Sequence, residues 1–208
     1  SETDEELREL YAQNFPGTKK LIHGDIRTAR RAVPPHDILA AGFPCQPFSK
    51  SGKQHGLADR TRGTLFAEVI KILRKHRPRY VILENVGNFE RHDCGNTWRV
   101  VQESLQKLDY HYRGTTHVTT GGHGLISPHH LGFPQTRERF FIVASADPLP
   151  ADPFPLARRT RMTCLAEVVE KTARLSAADR QETALTGQQT ACIDHWNTFV
   201  KAIPLSIE

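Results

Sequence analysis

A chain of 208 residues, 38% hydrophobic and 25% charged, can bury a sizeable core, which argues against a disordered polypeptide. No apolar run approaches the roughly 20 residues that span a bilayer, and no signal-peptide pattern opens the chain. The net charge of +5 fits a polyanionic partner, while four scattered cysteines without a CxxC pair speak against a disulfide framework or zinc ribbon and for a reducing, cytoplasmic setting.

In chain order, Leu7, Leu10 and Tyr11 recur at helical spacing. Thr3 and Glu6 have the form of a capping box, so a helix is predicted from near Asp4 to Asn14, ahead of the Pro16-Gly17 turn. Leu21-Ile22 and Asp37 to Ala41 read as buried strands. From Thr64 to His76, Leu65, Phe66, Val69, Ile70 and Leu73 share one helical face. Tyr80 to Leu83 reads as a strand, Thr97 to Leu108 as a helix, Tyr110 to Val118 as a strand, and Phe140 to Val143 as the last strand after a Gly/His/Pro-rich loop. Such alternation predicts a mainly parallel α/β sheet covered on both faces, with ligands beyond the carboxyl ends of its strands. The proline-rich run from Asp147 to Pro155 marks a boundary, so residues 1–146 form the predicted core and 147–208 a linker and helical appendage. Helices are expected there near 164–173 and 187–202, the second with Trp196, Phe199 and Val200 as its apolar side.

The chemistry sits after the apolar runs. Gly42-Phe43-Pro44-Cys45-Gln46-Pro47-Phe48-Ser49 places a proline-flanked cysteine at a strand end. A long basic segment follows, with Ser49, Lys50, Ser51 and Lys53 leading on to Arg60 and Arg62, and it suits closure over a phosphate backbone. The plainer alternative is a buried, inert cysteine. Glu84, in Leu83-Glu84-Asn85-Val86, would sit in the same crevice, where burial could let it share or donate a proton; alternatively it caps a turn. In Pro134-Gln135-Thr136-Arg137-Glu138-Arg139-Phe140, strand alternation would point Gln135, Arg137 and Arg139 one way, toward a planar polar base or a phosphate. An edge-strand ion-pair ladder is the alternative. His129-His130 and His92-Asp93-Cys94 lack ligand spacing, so no metal is expected.

Together these elements resemble the DNA (cytosine-5) methyltransferases, in particular the small bacterial enzymes of restriction–modification type. Arg62-Gly63-Thr64-Leu65-Phe66 and Gly24-Asp25-Ile26 match two further elements of that family, in its order, and the resemblance runs from Glu2 to about Ser145. It implies a Rossmann-like core dependent on S-adenosylmethionine. In the reaction it implies, the Cys45 thiolate attacks C6 of a cytosine flipped out of duplex DNA, and C5 then accepts the methyl group. Glu84 would face the N3/N4 edge, and Arg137 and Arg139 would position the ring. Glu2 would hold the cofactor ribose and Asp25 the adenine amino group, with Pro44 and Leu65 lining the pocket. Thr3 stands where the family often has a bulky residue against the adenine, beside Glu2, and Ile26 follows Asp25. Gln46, Ser49, Lys50, Ser51, Lys53 and Gln135 would meet the DNA.

The family's first strand with its Gly-rich turn, and its target-recognition domain, have no counterpart between Ser1 and Glu208. The chain therefore reads as an incomplete piece of the enzyme, expected to work with a complementing polypeptide carrying the rest. A related tRNA-modifying enzyme and a catalytically silent DNA- or partner-binding fragment are the competing readings. A cysteine hydrolase would want a histidine base beside Cys45 that the sequence does not identify.

Overall fold

The computed structural model describes residues 1–44, 65–116, 124–154, 164–168 and 175–202. Contacts divide the chain into two units, Ser1–Met162 and Thr163–Glu208. No helix among the described residues is long and apolar enough to cross a membrane.

In the first unit, α1 spans Glu5–Asn14. Its cap is Asp4, whose carboxylate accepts the Leu7 N–H, and not the predicted Thr3–Glu6 box. The reason is local: the Asp4 N–H is itself held by Glu2 Oε1 at 3.0 Å, which sets Asp4 in the extended conformation a cap needs. Leu21-Ile22 is not a strand. Lys19–Leu21 closes a 3₁₀ turn through Leu21 N–H to Thr18 O, and Leu21 is 73% exposed. Two apolar residues between Lys20 and His23 offer too short a run to sustain a strand ladder. A short helix, α2 (Ile26–Ala29), follows under the cap of Asp25.

The sheet is built from β1 (Ile38–Gly42), β2 (Tyr80–Val86), β3 (His111–Gly114) and β4 (Arg139–Ser145), in the order β1-β2-β4-β3. Helix α3 (Leu65–His76) lies between β1 and β2 in sequence, and α4 (Asn96–Gln106) between β2 and β3. Such crossovers bring the chain back in the same direction, and β1 pairs parallel with β2. No described α-helix separates β3 from β4. The chain reverses there, and β4 inserts between β2 and β3, antiparallel to both. The sheet is thus mixed, with one parallel and two antiparallel pairings, where a mainly parallel one was expected.

Alternation along β2 shows where the core lies. Val81, Leu83 and Asn85 are buried, whereas Tyr80, Ile82 and Val86 are exposed. Phe66, Val69 and Leu73 of α3 and Val100, Val101 and Leu105 of α4 join Val81, Leu83, Phe140, Ile142 and Ala144 in one cluster. Both helices therefore serve the same side. The other side exposes Ile38, Tyr80 and Ile82, so among the described residues the expected two-sided cover is not present. Helix α3 ends on Arg74, Lys75 and His76, a basic last turn that suits the helix carbonyls, before Pro78 stops it.

In the second unit, the described residues form α5 (Leu165–Val168), α6 (Ala177–Glu182) and α7 (Gly187–Ala202). The sequence pattern signalled no α6. It starts on a reciprocal cap, Ser176 Oγ accepting the Asp179 N–H and Asp179 Oδ2 accepting the Ser176 N–H.

Candidate active site

Strand β1 delivers the chain to Gly42-Phe43-Pro44, where the described segment stops; Cys45, Gln46, Ser49, Lys50, Ser51 and Lys53 lie outside the described residues. The approach to Cys45 is nevertheless held from two sides. Phe43 is buried against the rings of Phe66 and Phe89, at centroid distances of 5.0 and 5.8 Å. Its carbonyl accepts a 2.8 Å hydrogen bond from the buried Asn85 Nδ2. Asn85 Oδ1 in turn accepts the Val86 N–H at 2.9 Å, which fixes the amide's orientation. The residue after Glu84 thus clamps the strand end that leads to the cysteine.

Glu84 lies on the opposite face of β2, toward the open side of the sheet. Arg139 stands opposite Val86 in register, one diagonal step away on that face, and its Nε forms an ion pair with Glu84 Oε1 at 2.7 Å. Their side chains are 20% (Arg139) and 37% (Glu84) exposed, so the pair is half-sheltered. Gly42 is the register partner of Glu84 on β1, and a Cβ at that position would come within 3.1 Å of Glu84 Oε2. Gly42 leaves the space that the carboxylate uses.

Of the third sequence element, only Arg139 and Phe140 belong to a strand. Residues 134–138 are irregular, so the predicted common facing of Gln135, Arg137 and Arg139 does not arise from strand alternation. Ser127 governs this segment instead. It is fully buried, its Oγ accepts the Arg137 N–H at 2.8 Å and lies 2.8 Å from His129 Nδ1. Ile126 and Arg139 exchange backbone hydrogen bonds, and Gln135 O accepts the His129 N–H. The Gln135 and Arg137 side chains remain exposed. Neither Ser127, Asn85 nor Gly42 was given a role from sequence. Gly42 and Asn85 carry a signal only as neighbours of Cys45 and Glu84, and Ser127 carries none.

Near the start of the chain, the Glu2 N–H donates to His23 O at 2.9 Å, two residues before Asp25 in sequence. The Asp4 backbone N–H, foremost, holds the Glu2 carboxyl below the usual carboxylate range. Asp25 Oδ1 accepts the Arg27 N–H, and Oδ2 pairs with the Arg27 guanidinium at 3.3 Å. Two carboxylates suit the hydroxyl and amino donors of a nucleoside. Thr3 is exposed and its hydroxyl turns to Glu2 Oε1; Ile26 and Leu65 are half-buried, and Pro44 is exposed. Glu2 also lines a hollow of about 560 Å³ with Arg8, Tyr11 and Leu21. A hollow of about 700 Å³ between α4 and β3 contains none of the predicted site residues.

Residues 1–201 match the family described as C-5 cytosine-specific DNA methylase. The chain belongs to that family. Among its relatives, the Type II methyltransferase M.HhaI of Haemophilus parahaemolyticus is 42% identical over 144 residues, 69% of this chain and 40% of that protein. M.HaeII of Haemophilus aegyptius is 40% identical over 169 residues, 80% of this chain and 49% of its own length. M.NgoBI of Neisseria gonorrhoeae is 42% identical over 151 residues, 72% and 44% respectively. The methylase chain thus spans less than half the length of these curated relatives. A solved structure of a Spodoptera frugiperda DNMT2 mutant aligns at TM-score 0.48 and 22% identity, over 77% of this chain and 45% of that one. At that level the family assignment rests on the sequence comparisons, not on superposition.

Proposed function

We propose that this chain carries the base-attacking half of a methylase that acts on cytosine C5 in duplex DNA, with Cys45 as nucleophile. The observation that supports this best is the Glu84–Arg139 pair, set beside Gly42 at the sheet edge from which the chain runs on to Cys45. Cytosine C5 is a poor nucleophile by itself. When the Cys45 sulfur bonds to C6, the C5–C6 π electrons move toward C5 and the ring becomes an enamine. Charge that develops on the N3/N4 edge needs a partner. Glu84 would hold a proton toward N3, and Arg139 would orient its carboxylate while Arg137 positions the ring. Loss of the C5 proton after methylation would then expel the Cys45 thiolate and restore the aromatic ring.

S-adenosylmethionine would supply the electrophilic methyl group. Glu2 and Asp25 would hold its ribose and adenine ends, Thr3 and Ile26 flanking them, while Pro44 and Leu65 line the pocket. The basic segment with Gln46, Ser49, Lys50, Ser51 and Lys53, together with Gln135, would meet the backbone and stabilise the flipped nucleotide. The chain spans less than half the length of these relatives, and the turnover proposed is that of the whole protein.

The test is a covalent trap. The chain is mixed with S-adenosylmethionine and duplex DNA carrying 5-fluorocytosine at candidate sites, with and without the complementing segments. Fluorine at C5 blocks the last elimination, so a working nucleophile stays attached on a denaturing gel. An adduct lost in Cys45→Ser supports the reading; its absence with both preparations, cofactor and DNA bound, overturns it and leaves a fragment that only binds.

A further inference from the structure

At the end of the sheet opposite Glu84, two imidazoles meet in the first unit. His36 precedes β1 and His76 closes α3; their ring centroids are 5.4 Å apart and the rings are tilted by 42°. The Nε2 atoms of both rings are buried and have no hydrogen-bond partner among the described residues. That is unusual, because buried polar atoms in folded proteins are nearly always paired, and an orphan calls for a water or an ion.

The tautomer of His36 sharpens the point. Its Nδ1 lies 2.8 Å from the Pro34 carbonyl oxygen, which can only accept, so Nδ1 carries the hydrogen and the neutral ring's lone pair is on Nε2. A histidine whose Nδ1–H is anchored on a backbone carbonyl, with Nε2 free, has the arrangement found at metal centres. We propose that His36 and His76 form a two-histidine site for a borderline transition-metal dication such as zinc or nickel.

The separation fits that chemistry. Two rings that bind one ion through Nε2, at metal–nitrogen distances of about 2.0–2.1 Å and a tetrahedral angle, place their centroids about 5 Å apart. His76 is the last residue of α3, where the unsatisfied helix carbonyls favour a cation. Lys75 works against a cation, although its ammonium is directed to the Arg31 carbonyl at 3.5 Å. No group of three or more His, Cys, Asp or Glu side chains among the described residues is placed to hold a metal, so water would complete the coordination. Such a site binds less tightly than a closed structural one. His36 lies two residues before β1 and Gly42 closes that strand, roughly 20 Å further along an extended chain, so the ion would not reach the methyl-transfer chemistry.

The experiment uses the full chain, stripped of metal and kept reduced. Zinc and nickel are titrated by calorimetry, with the imidazole nitrogens followed by NMR. Because the chain has eleven histidines, the assignment rests on His36→Gln and His76→Gln, with His129→Gln as control. We expect one saturable equivalent, perturbed Nε2 resonances of His36 and His76 in the wild type, and at least a tenfold loss of affinity in each variant but not in the control. The NMR reading needs no substitution and stands even where a variant unfolds. Saturation without any shift of these two resonances, binding unchanged in both variants, or no binding would each overturn the site and leave a buried water as the shared partner.

Discussion

Arg139 Nε lies 2.7 Å from Glu84 Oε1, an ion pair formed because β4 runs antiparallel to β2 in the register that sets Arg139 opposite Val86. Glu84 and Arg139 therefore act as one unit. Glu84→Gln should lower the rate of adduct formation on 5-fluorocytosine DNA by about 100-fold, as expected when a positioned acid or base is removed. Arg139→Gln should lower it too, and the double variant should fall by less than the product of the two. In urea unfolding the same cycle should give a coupling of at most about 1 kcal/mol, because the pair is half-exposed. Independent effects on the rate would sever the pair functionally.

Asn85 should matter to stability more than Glu84 does. Asn85→Ala removes the side-chain donor that the described residues supply to the buried Phe43 carbonyl and should cost about 1–3 kcal/mol, measured by urea unfolding. Asn85→Asp should cost more, since a buried carboxylate has no hydrogen to give that carbonyl. Variants as stable as the wild type would mean that Phe43 is held by its ring contacts alone.

Two glycines on the same sheet should separate chemistry from packing. A methyl group at Gly42 would meet the far end of the Glu84 side chain at 3.1 Å, which can yield by a few tenths of an ångström. Gly42→Ala should change stability by less than about 0.5 kcal/mol yet slow adduct formation about tenfold. At Gly114 the same methyl would lie 2.8 Å from Phe140 Cζ and 3.1 Å from Trp98 Cζ2, inside the aromatic cluster. Gly114→Ala should therefore cost about 1–3 kcal/mol through overpacking. Equal losses of stability at both positions would contradict the contrast.

Tyr110 should make the fold sensitive to alkali. Burial pushes its hydroxyl pKa up, with Arg77 opposing, and the hydroxyl donates to Pro78 O at 2.6 Å. Its pKa is therefore higher folded than unfolded. The stabilisation is fully present below the unfolded value of about 10 and is lost as pH rises through the folded one. Tyr110→Phe should cost about 1 kcal/mol at neutral pH and flatten the loss above pH 10. An unchanged alkaline slope in urea titrations would remove Tyr110 as its source.

Much of this molecule was legible in residue order. The boundaries of α1 and α3 and the start of β2 follow from apolar spacing and from Pro16 and Pro78, while β2 runs on past the expected Leu83 to Val86; the motifs around Cys45, Glu84 and Arg139 carried the family before any fold was considered. Periodicity misled where it was short or borrowed. Leu21-Ile22 was too brief a run to be a strand, and residues 134–138 took their assumed alternation from a strand that begins only at Arg139.

The sequence by itself determined the family, the helices with long apolar faces and the chemically equipped residues, because spacing and side-chain type are properties of the chain's order. Only the tertiary structure decided which side of the sheet is covered, how β4 enters between β2 and β3, and which residues share a neighbourhood. It set Glu84 on the open face with Arg139 and Gly42, and Asn85 on the buried face under Phe43. The reason is pairing register: one step along β2 reverses the face, and the partner across the ladder comes from a segment whose distance in sequence says nothing about its place in the sheet.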